Sequence, residues 1–152
     1  LLAGFIIGAV LRGVCVGLAI GFVMSFFSPL SIQSFGLVVV FGVLGPLMLG
    51  LLGVIAGIWS DRFDHMAAFT NFIVTPLTFL SGTFYSMQSL PEMWRGVAYF
   101  NPFFYMIDGF RSGFIGVGDS HAIIGIVVLC CLNLVLIFIA HRMIRAGYKI
   151  KS

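Results

Sequence analysis

Acid, base and imidazole meet at one short place in this chain, Asp61-Arg62-Phe63-Asp64-His65. An imidazole beside carboxylates could act as a general base, but only in an enclosed pocket that holds it against a substrate. A water-facing turn of this length offers no such pocket. His121 and His141 lie far from His65 in sequence, and Cys15, Cys130 and Cys131 sit inside apolar runs without CxxC or His/Cys metal spacing. No HExxH, GxSxG or glycine-rich phosphate loop occurs, and Lys149 and Lys151, the only lysines, follow no such loop. The motifs thus define no catalytic, cofactor or metal site. One further charged pair has helical spacing: Asp108 and Arg111, at i and i+3, can pair on one face. In apolar surroundings a lone charge is costly and a pair is tolerable.

The elements that must position these residues are membrane helices. The chain has 152 residues, is 61% hydrophobic and only 9% charged, against roughly 25% charged in a soluble domain. A chain this short could not bury so much apolar surface in water, so lipid is its solvent. A crossing helix needs about 20 apolar residues. Four such stretches are predicted, at about 6–27, 35–59, 66–85 and 122–140, giving an all-α polytopic bundle. The chain begins with Leu inside an apolar run, which is expected of an N-terminally truncated fragment. Arg12 is expected near one interface of the first span.

Orientation follows from the basic residues. Arg142, Arg145, Lys149 and Lys151 crowd the tail 141–152. With that tail in the cytoplasm, Arg62 is also inside, and only Arg95 and Arg111, matched by Glu92 and Asp108, are outside. The net charge of +3 suits a cytoplasmic tail rather than a nucleic-acid surface, which would need bases along a folded face.

Residues 89–116 are too short and too broken to be a fifth span. Ser89-x-x-Glu92 reads as a capping box with Pro91 in the first turn. Leu90, Met93, Trp94 and Val97 share one face, so this helix should lie in the interface with Trp94 and Tyr99 at headgroup depth. Asn101-Pro102 stops it, and Asn101 can cap a second helix from Phe103 to Ile115, about 20 Å long, which dips in and returns. This outer hairpin is either an anchor that seals the bundle or a gate over a path. Phe84, Tyr85, Phe103, Phe104 and Tyr105 are the candidates for its aromatic lining. The 61–65 loop is either a solvated connection or a knob gripped by a partner, with Phe63 among the charges favouring the contact. Gly13, Gly17 and Gly21, Gly53 and Gly57, and Gly109 and Gly113 recur at every fourth position. Such rows let two backbones approach, within one chain or across a subunit seam. Pro46 and Pro76 should disturb the spans that contain them.

The run from Asn71 to Gly116 resembles the signature region of ABC type-2 exporter permeases. The likeness rests on Thr75-Pro76-Leu77, Ser81-Gly82, Phe84-Tyr85, Leu90-Pro91, Trp94, Asn101-Pro102, Tyr105, Gly109-Phe110-Arg111 and Gly116. It extends more loosely over the rest, including Arg12. The resemblance implies a permease of six spans, of which these would be the last four, working as a dimer. It also implies a separate nucleotide-binding ATPase subunit that holds ATP and Mg, contacted through Asp61, Arg62, Phe63, Asp64 and His65. The expected function is the membrane half of an ATP-driven exporter for an amphipathic, lipid-linked, glycan or drug-like substrate, in a bacterial inner membrane. Two rivals remain: a passive channel or scaffold, which explains the glycine rows without ATP, and an intramembrane enzyme using His65 with Asp61 or Asp64.

Overall fold

The computed structural model describes residues 2–27, 32–60, 63–82 and 91–146. Three helices are long and apolar enough to cross a membrane: α1 (Leu2–Phe27), α2 (Phe35–Trp59) and α7 (Ala122–Arg145). Each is apolar nearly all round, as expected where lipid rather than water faces the outside. Between them lie α3 (Phe63–Phe69), a π-helical turn (Thr70–Val74), α4 (Thr75–Phe79), α5 (Glu92–Tyr99) and α6 (Pro102–Ile115).

The core is shared by α2, α6 and α7. Phe41, Met48 and Leu51 of α2 meet Phe103 of α6 and Leu129, Leu136 and Ala140 of α7. Glycines permit the close approaches. A β-carbon on Gly109 would collide with the Phe41 ring, and one on Gly113 would lie 2.8 Å from Val38 Cγ2. On the other side α1 packs antiparallel on α2, where β-carbons on Gly13 and Gly50 would collide with Pro46 and Ala9 respectively. Going from Ala9 to Gly13 along α1 is matched by going from Gly50 back to Pro46 along α2, so the two helices run level over most of their length.

That register sets the height of Arg12 against α2. It stands level with the middle of α2, roughly 18 Å of helix rise from either end. An apolar run of this length can slide by several residues against a sequence window, and the Gly13–Pro46 and Gly50–Ala9 contacts set its register on α2.

The stretch expected as a span over 66–85 is helical from Phe63 to Phe79, with a π turn just ahead of Pro76. Proline supplies no N–H and its ring crowds the carbonyl four residues back, so one wide turn absorbs the mismatch. Hydroxyls satisfy the loosened backbone: Thr70 Oγ1 donates to Met66 O at 3.0 Å, Thr75 Oγ1 to Thr70 O at 3.0 Å and Thr78 Oγ1 to Val74 O at 2.8 Å. Leu80 turns the chain out of the helix, and Gly82 takes a left-handed φ of 77°. Residues 83–90 lie outside the described ones, so Phe84, Tyr85 and the capping role expected of Ser89 do too.

Candidate functional site

The hairpin of α5 and α6 is the best-organised polar region of the described chain. α5 begins directly after Pro91 and ends at Tyr99, with Phe100 as its C-cap. One face is open: Met93 and Phe100 are 77% and 93% exposed, and Trp94 and Val97 lie beside them. A row of large apolar groups left uncovered by the chain is what an interfacial helix presents to lipid.

Asn101 performs the expected cap and more. Its Oδ1 accepts from Phe103 N–H at 3.0 Å. Its Nδ2 donates to Leu77 O at 2.5 Å, tying the Asn-Pro break to the end of α4. Pro102 follows at the first helical position, where its missing N–H costs nothing. α6 ends on Gly116 at a φ of 79°, a left-handed position that glycine adopts without penalty.

Asp108 is the centre of the site. It is 1% exposed, and its carboxylate accepts four hydrogen bonds. Oδ1 takes Arg111 Nη2 at 2.7 Å and Asp119 N–H at 2.8 Å; Oδ2 takes Ser120 N–H at 2.9 Å and Ser120 Oγ at 2.7 Å. Arg111 Nη2 also reaches Asp119 Oδ2 at 2.7 Å. The expected pair is therefore a knot of four residues joining α6 to the turn that starts α7. Burial by itself would lower the Arg111 pKa, but its hydrogen bonds to Asp119 and Asp108 outweigh it and raise the pKa above its ordinary value. At the same end Ser34 N–H donates to Gly113 O at 2.9 Å. The hairpin is thus fastened where α2 and α7 begin, at the end of the bundle opposite the basic last turn of α7, Arg142 and Arg145.

The aromatic candidates divide. Phe103 and Phe104 are buried at 3% and 1%. Phe104 packs edge-on to Tyr99 and Tyr105, with ring centroids 5.5 and 5.2 Å apart. These rings hold the hairpin together; Trp94 and half-buried Tyr105 are the ones with open surface. The glycine rows divide as well. Gly13, Gly109 and Gly113 serve contacts within the chain, whereas β-carbons on Gly17, Gly21, Gly53 and Gly57 would meet nothing within 4 Å.

In the 61–65 loop, Asp61, Arg62 and the Phe63 side chain lie outside the described residues. Asp64 and His65 are exposed at the start of α3, with the His65 ring 6.4 Å from that of Trp59. No group of His, Cys, Asp or Glu suited to a metal occurs among the described residues.

Sequence reading missed three participants. Asp119 and Ser120 are two of them, and nothing local in the sequence signals that they answer Asp108. Asn133 sits in the middle of α7, 3% exposed, donating through Nδ2 to Leu44 O at 3.2 Å; its Oδ1 is buried with no partner among the described residues. An amide inside an apolar span was its available signal.

A family model described as ABC-2 type transporter matches residues 1–115, which contain α1 to α6. The chain belongs to the ABC-2 type transporter family. It is 34% identical over all 152 residues to the inner membrane transport permease YadH of Escherichia coli K12, and spans 59% of the length of that protein. Nodulation protein J of Rhizobium leguminosarum bv. viciae is 26% identical over 94 residues, covering 62% of this chain and 36% of that protein. No solved structure matches. The resemblance read from Asn71–Gly116 thus holds at the level of the family, and the membrane helix bundle expected of an ABC-2 protein agrees with the three long apolar helices.

Proposed function

We propose that this chain is the membrane-spanning part of a permease subunit in an ATP-driven exporter, with its C-terminus in the cytoplasm. Family membership supports the transport reading. The observation that supports the orientation is the hairpin, fastened by the Asp108 knot at the end opposite Arg142 and Arg145. By the positive-inside rule the tail is cytoplasmic and the hairpin faces out. ATP binding on a separate subunit closes that subunit's halves, and the movement enters through the cytoplasmic 61–65 loop. The spans shift against a second copy of the permease, and the hairpin opens or seals the outer exit. This chain hydrolyses nothing; ATP and Mg belong to the partner.

The test is ATPase stimulation and substrate export by the full-length permease assembled with its ATPase, comparing wild type with Arg62→Ala and Phe63→Ala. Loss of stimulation with the assembly intact is the expected result. Unchanged coupling in both variants would remove the docking role of this loop, and transport without any ATPase would favour a passive channel.

A further inference from the structure

We propose that α2 has a second, bent state hinged at Pro46, in which the Asn133 amide takes over both groups of the broken Met48 N–H···O Leu44 bond; this deepens the permease reading and rests on it for what the bend does. The observation behind it is an amide used by half. Asn133 is 3% exposed in the middle of α7. Its Nδ2 donates to Leu44 O at 3.2 Å, the long end of the range for such a bond. Its Oδ1 is buried with no partner among the described residues. A buried acceptor left empty costs its desolvation in full. A static tie between α2 and α7 needs only a donor, which a hydroxyl would supply. The second end of the amide is what a static tie leaves unexplained.

α2 is weakest where the amide meets it. Gly42, Gly45, Pro46 and Gly50 crowd one stretch, and all are poor helix formers. Pro46 has no N–H, so Gly42 O lacks the donor that a helix would bring four residues on. The Met48 N–H to Leu44 O rung follows closely, and its carbonyl is the one Asn133 holds. Met48 is fully buried, so an N–H released there finds no water. A donor seated on Leu44 O carries its own amide oxygen to the same rung. When the rung opens, Nδ2 keeps the carbonyl and Oδ1 receives the Met48 N–H, so neither backbone group is stranded. The straight helix leaves one oxygen empty and the bent helix fills it, which brings the two states closer in free energy.

The packing of α2 changes hands at the same place. Ahead of Pro46 it is held by α6: Ser34 N–H donates to Gly113 O, Val38 packs on Gly113, Phe41 on Gly109 and Met106 on Gly45. From Pro46 onward it is held by α1, through Gly13 on Pro46 and Ala9 on Gly50. Farther along α1, β-carbons on Gly17 and Gly21 would meet nothing within 4 Å. Asp108 fastens α6 to the start of α7. A bend at Pro46 therefore swings the first half of α2 together with the hairpin and α7, and leaves α1 with the second half. Asn133 rides on α7 alongside Leu44, so its Nδ2 bond survives the movement.

The experiment uses the full-length permease with its ATPase in nanodiscs, nucleotide-free and with ATP trapped on a hydrolysis-deficient ATPase. Spin labels replace Phe22 and Phe35, which are both exposed, in a chain whose cysteines are changed to alanine and which is diluted with unlabelled copies. Phe35 lies about 16 Å of helix rise from Pro46, so a proline bend above about 20° moves it by at least ~5 Å. Double electron–electron resonance should show two separations, the longer enriched by ATP. A second pair at Phe5 and Gly57, beyond the hinge, should keep one separation. Pro46→Ala and Asn133→Leu should each lower the ratio of long to short about 10-fold, the worth of one hydrogen bond. The sign for Asn133→Leu is decisive, because loss of a static tie would raise the long population instead. A long population unchanged or raised by Asn133→Leu, with the thermal midpoint maintained, would overturn the hinge. A single separation in an assembly whose ATPase is stimulated removes the hinge and leaves the permease reading. Two separations that obey both variants but ignore ATP keep the hinge and remove its link to ATP-driven transport.

Discussion

Replacing Asp108 by Asn is expected to loosen the turn before α7 while leaving the spans in place. The carboxylate is buried and accepts four hydrogen bonds, two on each oxygen. An amide keeps one accepting oxygen and turns two donors toward the other side. If its oxygen stays with Arg111 and Asp119 N–H, Ser120 Oγ can reverse and accept, but Ser120 N–H loses its partner. Arg111 retains Asp119, so the cation is not stranded. One bond to a charged acceptor disappears and others weaken to neutral strength, a loss of about 2–4 kcal/mol in total. The affected unit is local, so the readout should be local too. Native-state hydrogen exchange in nanodiscs should show the Ser120 amide exchanging ~30-fold to ~1,000-fold faster, with amides in the middle of α2 and α7 unchanged. Ser120→Ala, which removes only the hydroxyl, should give a smaller rise corresponding to about 1 kcal/mol. Unchanged protection at Ser120 in Asp108→Asn would refute the claim that this carboxylate fastens the hairpin.

Other substitutions separate the remaining roles. Gly109→Ala pushes a methyl group into the buried Phe41 ring and should lower thermal stability by about 1–3 kcal/mol; Gly53→Ala meets nothing within 4 Å and should be neutral or stabilising by up to ~1 kcal/mol. Equal melting temperatures for the two would contradict the packing described. Asn101→Ala removes both the cap and the tie to Leu77 O and should cost about 1–3 kcal/mol, seen as faster exchange at the start of α6; unaltered exchange there would count against the cap. Asn133→Leu gives up one long hydrogen bond but relieves a buried oxygen without a partner. Its thermal midpoint in detergent should hold or rise, and a loss above ~2 kcal/mol would show that the amide is needed where it stands.

Much of the fold was legible because lipid simplifies the code. Long apolar runs have one stable outcome in a membrane, a helix that satisfies its own backbone. Asn101-Pro102 announced a break and a cap through local chemistry alone, and both are present. Asp108 and Arg111 announced a pair by spacing. Local rules reached no further. The four-residue knot depends on the turn after Gly116 folding back onto α6, and no pattern in Asp119-Ser120 encodes that return.

The sequence by itself determined that this is an all-α membrane chain of the ABC-2 family, with a capped, half-charged hairpin and a basic tail. The helical membrane character, the cap and the tail follow from composition, period and near-neighbour chemistry, whereas the family follows from the likeness of its motif run to other permeases. Only the tertiary structure decided which glycines pack within the chain and which face open space, that Phe103 and Phe104 are core, and that Arg12 stands level with the middle of α2. Each of these depends on the register between helices. Helices that slide in lipid at little cost are stopped only where a proline, a phenylalanine ring or an alanine meets a missing β-carbon.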